Sequence, residues 1–178
     1  MVAKRCGVLL DLDQTLVLTD AIEPLRRRRV WSKVYRSFAQ TAVPPGTVKF
    51  LSKVGELAKL GVVTTSQRTY AERLLAYHRL QLPVIVAFHD VTQRKPHPEP
   101  ILKAAARLEL DPAQCIHVGD QLSDIEAAVR AGASAIALSW DGALDKGSVR
   151  RQGAAFCSDW DEVLENISAI LRGRGMQA

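Results

Sequence analysis

Two carboxylates set two residues apart are the first feature of the sequence that could do chemistry. Asp11 and Asp13 close the apolar run of VLLDLDQTLV, residues 8–17. If that run is a strand, successive side chains alternate faces, so Asp11 and Asp13 project together while Leu12 returns to the core. Carboxylates held side by side repel each other unless a cation lies between them or one keeps a proton. Either solution is useful, because magnesium prefers carboxylate oxygens and a protonated carboxyl can act as a general acid. Short acidic pairs also occur in solvated turns, so the pair alone decides nothing.

Three later stretches put reactive or charged groups where apolar runs stop. LGVVTTSQR offers the hydroxyls of Thr64, Thr65 and Ser66, which suit phosphate oxygens but equally suit a helix N-cap. QRKPHPEP sets Lys95 in a proline-stiffened loop, where a solvated surface lysine is the ordinary alternative. HVGDQLSDIEAA brings Gly119, a residue that allows close backbone approach, then Asp120 at a strand end and Asp124 in the first helical turn. An acidic first turn also stabilises a helix through its dipole. For all of these to be structural accidents, four would have to fall at four successive strand ends. His89 and His97 flank Lys95 near the expected site mouth, His117 reads as packed inside a strand, and His78 as a surface helix residue; none is assigned a role.

The elements that must hold these residues follow from hydrophobic periodicity. Strands are expected at 5–10, 60–64, 84–88, 115–118 and 133–139, with a weaker sixth at 154–157. Helical spacing fits Phe50 to Ala58, Thr69 to Leu80, Pro98 to Leu108, Ser123 to Ala131 and Trp160 to Leu171. Ser123 with Glu126 reads as a capping box, and Gly132 suits the position after the helix end. Strands alternating with helices predict a parallel sheet covered on both faces, with ligands outside the carboxyl ends of its strands. Residues 20–45 break the rhythm. They read as a small insertion over the strand ends, about one helix with Val30, Trp31, Val34, Tyr35 and Phe38 on one side, closed by Pro44, Pro45 and Gly46. The final GRGMQA is expected to fray.

Composition narrows the class. A chain of 178 residues with 47% hydrophobic and 24% charged residues fits one soluble globular domain. It has no apolar run of membrane-spanning length, and MVAKRCGVLL lacks the pattern of a signal peptide, so the cytoplasm is the expected compartment. Cys6, Cys115 and Cys157 are widely spaced and read as small buried hydrophobes. Residues 24–36 carry five arginines, one lysine and no acid, against a net charge of +5 for the whole chain; the basicity therefore belongs to one segment.

In order, DLDQTLV, VVTT, KPHPEP and VGDQLSDIEAAVRAG resemble the four motifs of the haloacid dehalogenase-like hydrolase superfamily, particularly its phosphoglycolate phosphatase-like branch. The resemblance runs from Gly7 to about Leu171, apart from residues 20–45. It implies a Rossmann-like three-layer α/β/α sandwich with a parallel sheet of strand order 5-4-1-2-3. It also implies roles. Asp11 would be the nucleophile that forms an aspartyl-phosphate, and Asp13 the acid/base, with its backbone carbonyl on the metal. Thr64, Thr65 and Lys95 would hold the phosphoryl group. Asp120 would join Asp11 and Asp13 in ligating magnesium, and Asp124 would orient the metal's water shell or Lys95. The family's dehalogenases lack the second aspartate, so Asp13 and Asp120 favour phosphatase chemistry on a small phosphorylated substrate.

Two departures stand out. Gln14 occupies a position where glycine is commonest. Only 52 residues separate Asp11 from Thr64, room for a minimal helical cap at 20–45 within a single domain spanning 1–178, so no particular substrate carries over. Other readings stay open: a phosphatase acting on nucleic-acid ends or nucleotides through Arg26, Arg27, Arg28 and Arg29, a homodimer through the apolar side of the cap helix, or a non-catalytic partner-binding module on the same fold.

Overall fold

The computed structural model describes residues 5–175. The opening MVAK, part of the stretch read against a signal peptide, and the last three residues of GRGMQA lie outside them. Six strands form one parallel sheet: β1 (Gly7–Leu10), β2 (Lys59–Val63), β3 (Val84–Val86), β4 (Cys115–Gly119), β5 (Ser134–Leu138) and β6 (Ala155–Cys157). Their order is β3-β2-β1-β4-β5-β6, the expected order extended by the weak sixth strand, which pairs with β5. Every residue of the central strands β1 and β4 is buried, as a sheet covered on both faces requires.

Alternation along β1 sorts the core into two layers. Val8 and Leu10 point into a cluster formed with α3 (Thr47–Leu57), α4 (Arg68–Tyr77) and α8 (Trp160–Gly173). Leu9 points to the other side, against α5 (Glu99–Arg107), α6 (Leu122–Arg130) and α7 (Lys146–Arg151). The result is a three-layer α/β/α sandwich. Cys6, Cys115 and Cys157 are buried. No helix among the described residues is long and apolar enough to cross a membrane.

Three local expectations need correction. The inserted segment is not one helix: α1 (Glu23–Arg27) and α2 (Trp31–Arg36) are separated by Arg28, Arg29 and Val30, with short 3-10 turns on either side. Arg29 has φ +55°, a left-handed conformation that no helix can continue through. The cap on α6 is not Ser123 with Glu126. The helix starts earlier, and the Gln121 N–H donates to the Asp124 carboxylate at 3.0 Å. Arg174 does not fray, since its guanidinium donates to Ser134 Oγ at 2.8 Å and to the Cys115 carbonyl at 3.3 Å. Gly132 does follow the end of α6, with φ +79°.

The apolar side of the inserted segment is used within the chain. Val34 and Phe38 are buried, Trp31 and Tyr35 pack beside them, and both Trp31 and Phe38 meet the Tyr70 ring at about 6 Å between centroids. The face assigned to a homodimer partner is therefore occupied by α4.

Candidate active site

β1, β2 and β4 all deliver their carboxyl ends to one place, and the chemistry-bearing residues stand there. A cavity of about 330 Å³ is lined by Asp11, Asp13, Gln14, Asp20, Glu23, Arg26, Arg27, Thr65, Lys95, Gln121, Ser123 and Asp124. A second, of about 420 Å³, shares Gln14 and Asp20 with the first and has Asp120 and Trp140 in its wall. The Gln14 side chain, hydrogen-bonded to the Asp20 carboxylate, stands between them.

Lys95 ties three strand ends together. Its ammonium, 4% exposed, donates to Asp11 Oδ1 at 2.6 Å and to the Val63 carbonyl at 3.1 Å, and forms an ion pair with Asp124. Burial works against its charge, but Asp11 and Asp124 outweigh it and leave its pKa above the usual lysine value. Asp124 is 2% exposed; burial would raise its pKa, yet Lys95 and then His117 hold it well below the usual carboxylate range. Of the two roles offered for Asp124, the structure shows the contact with Lys95. His117 is packed, as expected: it is fully buried, with Nδ1 3.1 Å from the Leu9 carbonyl and Nε2 3.4 Å from Asp124 Oδ1. Gly119 has a specific reason. A Cβ there would overlap the Asp124 carboxyl group.

The carboxylates outnumber the cation. Burial raises the Asp11 pKa well above the usual range despite Lys95. Burial, and then the Asp124 charge, push the Asp120 carboxyl up to about 7. Three carboxylates thus share one ammonium, a shortage of positive charge that a divalent cation would fill. Among the described residues no group of three His, Cys, Asp or Glu side chains is gathered around one point. That is compatible with magnesium, which takes one or two carboxylates and completes its shell with water and phosphate oxygens. Asp11 and Asp120, with the Asp13 backbone carbonyl, fit that donor set.

Asp13 is held differently from Asp11. Its Oδ1 accepts hydrogen bonds from Thr19 Oγ1 at 2.9 Å and the Tyr70 hydroxyl at 2.8 Å; its Oδ2 accepts from Ser66 Oγ at 2.7 Å and Arg26 at 2.9 Å. Sequence reasoning assigned none of these partners. Ser66 was weighed as a helix cap, but the N-cap of α4 is Gln67, with no side-chain cap, which leaves the Ser66 hydroxyl for Asp13. Arg26 was grouped with a basic run reaching outward. It turns inward, 17% exposed, while Arg27, Arg28 and Arg29 are exposed. The four arginines are therefore not one surface.

The remaining expected residues divide. Thr65 lines the cavity, whereas Thr64 is 5% exposed and its Oγ1 accepts the Ser66 N–H at 3.1 Å, which leaves its hydroxyl proton free to donate. Neither His89 nor His97 lines the cavity; His97 Nδ1 accepts the Glu99 N–H. His78 is more than a surface residue, since its Nε2 lies 2.7 Å from Thr41 Oγ1 and so fastens the end of the inserted segment to α4.

Gln14 explains its own rarity. It has φ +60°, a conformation that glycine adopts freely and other residues at a cost of about 1–2 kcal/mol. The Gln14 Oε1 accepts the Thr19 N–H at 3.3 Å while its amide reaches Asp20, so the side chain offsets part of that strain by bracing the turn after β1.

A parallel Rossmann-like sheet whose strand ends gather Asp11, Asp13, Lys95 and Asp124 is the frame of a known hydrolase class. A profile of the haloacid dehalogenase-like hydrolase family matches residues 19–138, and the chain belongs to that family. Over 129 residues it is 40% identical to pyrophosphatase PpaX of Bacillus mycoides, covering 70% of this chain and 55% of that protein. Another PpaX, from Bacillus cereus, is 40% identical over 96 residues, 53% of this chain and 44% of that one. The chain spans about half the length of the curated relatives it matches. Among solved structures, a hydrolase from Pseudomonas syringae superposes with TM-score 0.75 at 24% identity, covering 93% of this chain and 99% of that one. A family hydrolase from Deinococcus radiodurans, described with bound phosphate and sodium, gives TM-score 0.76 at 17% identity, covering 94% and 97%. At these identities the structural likeness establishes the fold.

Proposed function

We propose that the protein is a magnesium-dependent phosphohydrolase working through an aspartyl-phosphate, with residues 20–45 as a reduced cap over a single catalytic domain. The observation that carries this reading is the pairing of a buried, lysine-bound Asp11 with a separately anchored Asp13 at the end of one strand. In the first half-reaction an Asp11 oxygen attacks phosphorus, the bond from phosphorus to the leaving oxygen breaks, and Asp13 gives that oxygen a proton. In the second, water attacks the phosphorus of the aspartyl-phosphate, Asp13 takes the water's proton, and phosphate leaves with Asp11 restored. Lys95, Thr64 and Thr65 hold the phosphoryl oxygens, and Lys95 offsets charge as the group transfers. Asp11, Asp120 and the Asp13 carbonyl would hold magnesium, which would supply the positive charge that the carboxylates leave unmet. Asp124 keeps Lys95 in place, a supporting contact of the kind that tunes such sites.

The relatives named pyrophosphatase add a phosphoanhydride to the phosphate monoesters as a candidate substrate class. The test is a panel of p-nitrophenyl phosphate, small phosphate monoesters, nucleotides and inorganic pyrophosphate, each with magnesium and with EDTA. Magnesium-dependent release of phosphate from at least one, abolished in Asp11→Asn, is expected. A folded protein inert to the whole panel would favour the partner-binding module instead.

A further inference from the structure

Arg26 belongs to none of the four motifs, yet its guanidinium stands at the reacting end. One terminal nitrogen donates to Asp13 Oδ2 at 2.9 Å and Ser66 Oγ at 2.8 Å; the other donates to Thr19 Oγ1 at 3.1 Å and Glu23 Oε2 at 2.9 Å. Its central carbon sits 4.8 Å from the centroid of the Tyr70 ring. The three other groups that donate to Asp13 are Thr19, Ser66 and Tyr70. Arg26 therefore touches Asp13 and also every other side chain that donates a hydrogen bond to it. Such a closed network leaves the carboxyl group one orientation, and the planar guanidinium fork is suited to build it.

We propose that Arg26 is the positioning residue for Asp13 as a base, so that the reduced cap takes part in hydrolysis of the aspartyl-phosphate. This rests on the phosphohydrolase reading above. The direction follows from the donors. All four partners give hydrogen bonds and fill the acceptor sites of the Asp13 carboxylate. A hydroxyl donor can rotate away to let an attacking water in, whereas the Arg26 guanidinium cannot, so Arg26 keeps the carboxyl group oriented while it receives the water's proton. Formation of the aspartyl-phosphate from an ester whose leaving group needs no proton does not call on that arrangement. Arg26 should then matter for the second half-reaction and little for the first.

p-Nitrophenyl phosphate separates the two, because its leaving phenolate is stabilised by the nitro group. With the full chain and magnesium, Arg26→Gln is expected to release a rapid burst of p-nitrophenolate approaching one per enzyme. A slow steady state follows, with kcat about 10- to 100-fold below wild type. KM falls with kcat, so kcat/KM stays within about threefold, since it reports the first half-reaction. Arg26→Lys keeps the charge beside Asp13 and Glu23 and is expected to fall between the two, which also serves if the glutamine variant is poorly folded. Arg28→Gln, in the same segment but exposed, is expected to match wild type. A parallel fall of kcat and kcat/KM without a burst, or an unchanged kcat, would overturn the proposal and leave Arg26 a substrate-binding or purely structural residue. Wild-type protein that hydrolyses no phosphate ester at all overturns the phosphohydrolase reading first, and this inference with it.

Discussion

Replacing Lys95 by methionine removes the one cation from a buried set of three charges while keeping a side chain of similar length. In the wild type the Lys95 ammonium is 4% exposed and binds Asp11 at 2.6 Å, together with Asp124, itself 2% exposed. Breaking a buried ion pair from one side costs about 3–5 kcal/mol, because the partner charge is left uncompensated. Asp11, whose pKa burial already raises, can take up a proton; Asp124 then loses the cation that holds its pKa down and keeps His117 and the Gln121 N–H. Taking about 4 kcal/mol and a chain of 178 residues, the expected fall in Tm is roughly 10 °C. The assay is thermal unfolding by far-UV circular dichroism at pH 7 in EDTA, so that no metal replaces the lost charge. The pH dependence has a definite sign. A carboxylate with a depressed folded pKa contributes stability above its unfolded value of about 3.9 and loses it as pH falls. Wild type and variant should therefore differ most at neutral pH and converge below about pH 4. A Tm within about 2 °C of wild type at pH 7, or a gap that widens on acidification, would refute this account of the Lys95 cluster.

Two further outcomes follow from the same geometry. Gly119→Ala drives a Cβ into the Asp124 carboxyl group, which Lys95, His117 and the Gln121 N–H already fix; a loss of about 1–3 kcal/mol by urea unfolding and a reduced kcat are expected. Asp90, bonded to the Ala87 N–H, Arg107 and Arg68, has its pKa pulled down to about 2 against the effect of burial. Asp90→Asn should therefore lower Tm at pH 7, and the difference should disappear as pH falls from about 4 to 2.

The fold was legible because the information needed for it is local. All six strands were expected, five from short apolar runs and the sixth as a weaker one, and each begins and ends within about two residues of the observed element. The central strands read clearly because both of their faces are buried. The gathering of the candidate site residues was legible for a related reason: Asp11, Asp13, Lys95, Asp120 and Asp124 follow strand ends in a sheet that brings those ends together. What did not show were contacts between distant segments. Arg26 carries no mark separating it from Arg27 and Arg28; it turns inward because α1 ends at Arg27 with that side toward Ser66 and Tyr70, about forty residues further along. The break at Arg29 was hidden because only its positive φ interrupts an otherwise helical pattern. Ser66 reads as an N-cap and Tyr70 carries no expected role, yet both are partners of Asp13.

The most direct test of the central claim is to find the phosphoryl group on Asp11. The protein is mixed with magnesium and excess p-nitrophenyl phosphate, quenched in acid within its first turnovers, and mapped by peptide mass spectrometry. The account predicts one added phosphoryl group on the peptide containing Asp11 and Asp13, localised to Asp11 and absent from Asp11→Asn. Turnover of the ester with no phosphopeptide in either wild type or Arg26→Gln, or a phosphoryl group on any other residue, would contradict it.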